Sequence, residues 1–107
     1  MGSNKKLVLM DKKKILRYTK CFKVYEEELT WDKFIKCLNE SFEFCFHYND
    51  KTIFIAFHYE RNKKIYELNI VSMEKEVNFV FDSIDELILF KGFENKTIRD
   101  IWNELET

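Results

Sequence analysis

The feature of this chain that most constrains its fold is a run of alternating residues that begins at position 42. Every second position is aromatic, and the positions between are polar or small: Phe42, Glu43, Phe44, Cys45, Phe46, His47 and Tyr48. Because successive side chains of a β-strand point to opposite faces, this pattern predicts a strand with one aromatic face. Asn49-Asp50 then predicts a tight turn, since both residues tolerate the left-handed backbone that short hairpins need.

The position of this turn determines which residues of the next strand oppose the aromatic ones. It pairs position 46 with 53, 44 with 55 and 42 with 57, so that Ile53, Ile55 and Phe57 join the aromatic face. A loop longer by one residue would move those three side chains to the polar face. Burial of apolar surface therefore favours the first register.

The same reasoning predicts two more strands. A turn at Asn62-Lys63 pairs position 55 with 70 and 57 with 68, and a loop around Glu74-Lys75 pairs position 70 with 79 and 68 with 81. Both registers add apolar residues to the same face: Tyr66, Leu68, Ile70, Val77, Phe79 and Phe81. The sequence therefore predicts a four-stranded antiparallel meander with one continuous apolar face.

A helix is predicted before the first of these strands, over about 31–40. Thr30 can cap it, and apolar residues follow at helical spacing: Trp31, Phe34, Ile35 and Leu38. Leu29 and Phe34 have the spacing of a hydrophobic staple, in which residues on either side of the cap pack together. The pattern is typical of an amphipathic helix that lies on a sheet.

Two shorter helices are predicted after the last strand. Ser83 and Glu86 form a capping box, with Gly92 as the terminator of that helix. Thr97 and Asp100 begin the second in the same manner, and its apolar residues are at helical spacing: Ile98, Ile101, Trp102 and Leu105. Residues 5–25 fit both a strand and a helix, with the strand slightly favoured.

These elements predict an α+β fold, a four-stranded antiparallel β-meander with amphipathic helices packed on one face. The 107 residues suit a single domain spanning 1–107, in which 1–3 has the form of an expression-tag remnant. Neither a signal peptide nor an apolar run of about 20 residues is present, which indicates a cytoplasmic protein without membrane contact.

Charge is unevenly distributed along the chain although its formal net value is −1. Residues 1–36 contain ten Lys or Arg and five Asp or Glu, whereas residues 74–107 contain four and nine. Such an asymmetry can steer oppositely charged partners, or the two ends can attract each other within the fold. The internal explanation is the favoured one.

The histidines and cysteines do not predict a catalytic or metal site. In the predicted register His47 and His58 share a face but lie about 20 Å apart, which is too far for one metal ion. Cys45 and His47 lie about 6–7 Å apart along one strand, and no glycine near them suggests an oxyanion hole. Three cysteines without a CxxC pattern indicate free thiols. We expect no metal, no cofactor and no enzymatic activity. We also expect Glu67, directly opposite His58, to keep the imidazole of His58 protonated to a higher pH than in an isolated histidine.

The polar face of the predicted sheet is the remaining candidate for a functional surface. Either residues 5–25 cover this face, or it contacts a partner. Its candidate partner-binding residues combine an aromatic centre with polar neighbours: Glu43, His47, Phe54, His58, Glu67 and Asn69. By elimination, the sequence predicts a non-enzymatic module that binds another protein, a small inhibitor or antagonist of the toxin-immunity or phage anti-defence (anti-CRISPR-like) type.

Two alternatives remain open. A nucleic-acid-binding protein would use the basic N-terminal segment, where residues 12–14 are lysines and Tyr18 and Phe22 follow. The net charge of −1 makes this alternative less favoured. A homodimeric structural or adaptor domain would instead pair through the polar sheet face or a free edge strand.

Overall fold

The computed structural model describes residues 14–107. In chain order the elements are β1 (Ile15–Lys20), β2 (Lys23–Glu28), α1 (Trp31–Asn39), β3 (Phe44–Tyr48), β4 (Lys51–Glu60), β5 (Lys63–Val71), β6 (Glu76–Phe81), α2 (Ile84–Leu89) and a short 3₁₀-helix (Trp102–Glu104). The expectation for residues 1–3, and the beginning of the ambiguous segment 5–25, lie outside the described residues. The described part of the chain contains no helix long and apolar enough to cross a membrane.

The predicted four-stranded antiparallel sheet is confirmed, with strand order β3-β4-β5-β6. In its first hairpin Phe44 pairs with Ile55 and Phe46 pairs with Ile53, as the alternation predicted. Asn49 adopts a φ of 56°, which is the left-handed conformation expected of its turn. The α+β class is therefore established for this part of the chain.

The predicted registers of the second and third hairpins are wrong by two residues. The second turn lies at Arg61 and Asn62, both with positive φ, and Ile55 pairs with Leu68 instead of Ile70. In the third hairpin Leu68 pairs with Phe79. A slip of two residues leaves every side chain on its original face, so the alternating pattern cannot detect it.

Helix α1 begins where the sequence predicted, because the Thr30 side chain accepts a hydrogen bond from the Lys33 backbone N–H at 3.3 Å. Its Phe34 ring is completely buried, 4.9 Å from the Phe44 ring and 5.7 Å from the Phe46 ring. Leu29 belongs to the same core. The aromatic side chains of the helix and of β3 thus form the centre of the hydrophobic core.

Helix α2 also begins at its predicted cap, since the Ser83 hydroxyl accepts from the Glu86 backbone N–H at 3.2 Å. Gly92 is not its terminator, because the helix ends at Leu89 and Phe90 turns into extended backbone. A Cβ on Gly92 would lie 2.1 Å from the Phe90 ring. The glycine is needed for this close approach and not for helix termination.

The predicted last helix is replaced by turns and the 3₁₀-helix. Thr97 and Asp100 do form their reciprocal cap, with both backbone N–H groups bound at 3.0 and 3.2 Å. The apolar residues of this segment are buried as expected: Ile98, Ile101, Trp102 and Leu105. The chain then becomes extended at Leu105, and Glu106 forms two backbone hydrogen bonds with His47 at 2.7 and 3.0 Å. Pairing with the edge strand β3 therefore takes the place of a longer helix.

The N-terminal segment forms a separate two-stranded sheet from β1 and β2, which confirms strand over helix for the described part of it. Its turn is made by Cys21 and Phe22, with φ of 53° and 68°. Leu16 lies in the core, and the Leu29 N–H donates to the Lys14 carbonyl at 2.7 Å to close the base of the hairpin. The hairpin is therefore anchored at its open end, while its turn is exposed.

Candidate partner-binding face

The sheet has a second face, here called the reverse face, formed by the side chains that alternate with the buried ones. Its members pair with one another across the four strands: Cys45, His47, Thr52, Phe54, Ala56, His58, Ile65, Glu67, Asn69, Val71, Glu76, Asn78 and Val80. Positions 43, 60 and 63 continue the same alternation at its margins. Every candidate residue named from the sequence lies on this face or at its margin.

The reverse face exposes two large apolar side chains, one on the central strand β4 and one on the edge strand β6. Phe54 retains 43% of its surface and Val80 retains 57%, whereas the alternating neighbours Ile53 and Ile55 on β4 are almost completely buried. Phe54 stands on a central strand, between Cys45 on one side and Asn69 on the other. A large apolar side chain on a central strand is normally covered, so the exposure of Phe54 marks a candidate contact surface.

His58 is held between two carboxylates on this face. Its Nδ1 lies 2.7 Å from Glu67 Oε2 and its Nε2 lies 2.8 Å from Glu60 Oε2. These hydrogen bonds, first with Glu60 and then with Glu67, raise the pKa of His58 above its usual value, against a smaller opposing effect of desolvation. The imidazolium is therefore the favoured form over a wider pH range than in a free histidine.

The sequence predicted only half of this arrangement. Glu67 does contact His58, but it does so diagonally, because the residue directly opposite His58 is Ile65. Glu60 was missed, although its position two residues after His58 in one strand places it on the same face. Ile65, in contrast to Phe54 on the same face, is buried.

The reverse face carries negative charge around its exposed apolar side chains. Its thirteen members include two glutamates, the His58 imidazolium and no lysine or arginine, while Glu43, Glu60 and Lys63 lie at the margins. Lys63, at the end of β5, lies 3.7 Å from Asp82, so that its charge is locally balanced. Asn69 donates from Nδ2 to Glu76 Oε2 at 2.8 Å, while its buried Oδ1 accepts no hydrogen bond from the described residues. The polar part of the reverse face is therefore rich in hydrogen-bond acceptors.

Cys45 and His47 are not brought together as a catalytic pair. The Nδ1 of His47 lies 3.5 Å from the hydroxyl of Thr52, and the described residues show no hydrogen bond between His47 and the Cys45 thiol. All three cysteines are free: Cys21 and Cys45 are exposed, and Cys37 is buried. Burial is the main cause that raises the pKa of Cys37, which keeps this thiol protonated.

The two imidazoles lie far apart on the face. His47 is opposite Thr52, and His58 lies six residues further along β4, which corresponds to about 20 Å. Within residues 14–107 no group of three or more His, Cys, Asp or Glu side chains is arranged to hold a metal ion.

An open cleft of about 450 Å³ is lined by residues of α1, of β5, and of α2 with the two residues before it. Lys64 lines this cleft, where its Nζ donates to the Leu38 carbonyl at 3.0 Å and to the Ser41 hydroxyl at 2.7 Å. The same ammonium lies about 5 Å from the centres of the Phe57 and Tyr66 rings. Lys64 thus ties the end of α1 to the sheet, which accounts for it as a structural residue.

Comparison of the chain with protein-family models, with curated proteins and with solved structures finds no match in any of the three.

Proposed function

We propose that this protein is a non-enzymatic module that binds another protein through the reverse face, as an inhibitor or antagonist of the immunity or anti-defence type. The observation that carries this proposal is the exposure of Phe54 on a central strand of the sheet, with Val80 exposed on the edge strand β6 of the same face. An apolar centre surrounded by polar groups is the usual anatomy of a protein interface.

A corollary of this proposal is that both helices cover the opposite face and leave the reverse face to a partner. Ring contacts support it, because Phe34 of α1 packs on Phe44 and Phe46. Phe90, directly after α2, lies 4.5 Å from the Phe79 ring and 5.2 Å from the Phe81 ring. The four contacted rings belong to residues that alternate along their strands with members of the reverse face, so they point to the opposite side of the sheet.

The backbone of the reverse face is suited to binding without rearrangement. Phe54 and Asn69 lie on β4 and β5, the two central strands, and each of these strands is paired along both edges. The side chains of His58 and Asn69 are held further by hydrogen bonds to glutamates. A partner would lose little free energy in ordering such a surface, which favours affinity.

The scarcity of lysine and arginine on the reverse face, where Lys63 stands at the margin beside Asp82, argues against nucleic acid as its ligand. Phosphate contacts come mainly from lysine and arginine, and the carboxylates of Glu67 and Glu76 would repel them. The same charges favour a protein partner whose contact surface has basic side chains around a protruding apolar side chain.

Site-specific photocrosslinking tests this proposal. A benzoylphenylalanine at position 54 should crosslink one stoichiometric protein in cells of the native host, and added wild-type protein should compete with it. The matched control is the same probe at Leu89, which is 71% exposed on α2 and lies outside the reverse face. Crosslinks that are equal at both positions, or none at position 54, would contradict the proposal.

A further inference from the structure

The turn of the N-terminal hairpin exposes a second apolar feature, which carries the opposite charge. This feature, here called the hairpin tip, comprises Lys20, Cys21, Phe22 and Lys23. Phe22 is fully exposed, and the neighbouring Val24 retains 68% of its surface. From position 17 to position 25 the hairpin contains three basic residues and no acidic one.

Two features of the hairpin tip are unfavourable for the isolated hairpin. Cys21 and Phe22 both adopt left-handed backbone conformations, which a bulky residue such as Phe rarely does. Lys20 and Lys23 are directly opposite in the ladder, where like charges repel. A left-handed backbone at an exposed aromatic residue, beside two like charges that repel, supports the hypothesis that the hairpin tip contacts a binding partner.

The requirements of such a partner can be read from the hairpin tip. It needs an apolar site for the Phe22 ring and negative charge near the ammonium groups of Lys20 and Lys23. Within the described residues the reverse face has both properties, with Phe54 on a central strand, Val80 on the edge strand β6, and Glu43, Glu67 and Glu76 near them.

The hairpin tip is not neutralised by the acidic end of its own chain. The ion pairs between described residues do not join positions 14–36 to positions 74–107, and Arg17 pairs within the hairpin, with Glu26 at 2.7 Å. The internal attraction favoured from the sequence stays a prediction, because part of the basic segment lies outside the described residues. Among the described residues Lys20 and Lys23 take part in no ion pair, so their charges are open to a second molecule.

We propose that the hairpin tip of one molecule binds the reverse face of a second copy, with Phe22 against Phe54 and Val80 and the lysines among the glutamates. This inference rests on the proposed function in taking the reverse face as a binding surface. Because the two surfaces differ, the contact is head-to-tail, and it closes into a ring or continues as a chain. A chain with an isoelectric point of 6.1 favours this partner over nucleic acid.

Sedimentation equilibrium over a range of protein concentrations tests the proposal. At about 20 mM salt, where charges act over about 20 Å, the weight-average mass should rise above the 13.2 kDa of one chain. At about 0.5 M salt, where the screening length is about 4 Å, it should fall back toward that value. A wild-type protein that stays at 13.2 kDa at low salt and high concentration overturns self-association.

Two variants identify the surfaces involved. A tip variant (Lys20→Glu with Lys23→Glu) and a face variant (Glu43→Lys with Phe54→Ser) should each sediment as a monomer. Mixed in equal amounts, they should form only a heterodimer, because the mixture contains one intact tip and one intact face. Association that persists in the tip variant alone, or a mixture that remains monomeric, overturns the assignment.

Two further measurements separate this inference from its rivals. Circular dichroism and thermal melting must show both variants folded, and Leu89→Ser, a change outside both surfaces, should self-associate as the wild type does. If the wild type is monomeric and a fluorescent single-stranded oligonucleotide binds it but not the tip variant, the hairpin tip is a nucleic-acid site and the proposal is wrong. Photocrosslinking from position 54 to a host protein could still succeed in either case, which keeps the proposed function separately testable.

Discussion

Replacement of Phe34 by Ala should destabilise the protein strongly. Its ring is completely buried and lies within 6 Å of four other rings, those of Trp31, Phe44, Phe46 and Trp102. Loss of a buried Phe side chain costs about 3–5 kcal/mol, and aromatic pairs contribute about 0.5–1.5 kcal/mol each, which favours the upper half of that range. We expect a loss of about 4 kcal/mol from a free energy of unfolding of about 5–15 kcal/mol.

Thermal unfolding measures this loss directly. For a chain of this size 1 kcal/mol corresponds to about 4 °C, so the melting temperature should fall by about 15–20 °C. The matched control is Phe22→Ala, the same chemical change at a fully exposed position, which should alter stability by less than about 0.5 kcal/mol. Equal losses in the two variants would refute the view that the aromatic cluster between α1 and β3 is the centre of the core.

Three other changes have expected outcomes. Replacing Glu60 and Glu67 together by Gln removes the two carboxylates that raise the pKa of His58. The stability advantage of the wild type should therefore be full below about pH 6.5 and vanish as the pH rises through the folded-state pKa. Urea unfolding between about pH 5.5 and 8.5 measures this advantage, and an advantage that grows with pH would contradict this account. Thr30→Ala removes the cap of α1 and should cost about 1 kcal/mol in the same assay, whereas no loss would mean that the cap does not stabilise the helix. Gly92→Ala places a Cβ against the packed Phe90 ring and should cost about 1–3 kcal/mol, and a neutral result would show that the ring moves freely.

The alternation of apolar residues was sufficient to predict the faces of the sheet but not its full register. The first hairpin was predicted correctly because an error of one residue would have moved Ile53 and Ile55 to the polar face. The second was displaced by two residues, an error that changes no face. Only the turn distinguishes these registers, and Asn62 suits either central position of a two-residue turn.

Other elements depend on contacts that are remote in sequence. The turn at Cys21 and Phe22 lacks the Gly, Asn or Asp that usually marks a hairpin, so the local sequence contained no signal for it. The cap at Thr97 and Asp100 was visible, but the extended backbone after it is stabilised by pairing with His47, about sixty positions earlier. The candidate face followed from alternation alone, whereas the exposure of Phe54 required the arrangement of every neighbouring element.

The pairing of Glu106 with His47 has a consequence for how this protein is made. Ribosomes release the amino-terminal part first, so β3 and its hairpin partner can associate while position 106 is still unsynthesised. During that interval the backbone N–H and C=O of His47 at the outer edge of β3 lack their partner, and an exposed strand edge is a template for aggregation. A nascent chain that is slow to be completed should therefore depend on chaperones at this edge more than the finished molecule does.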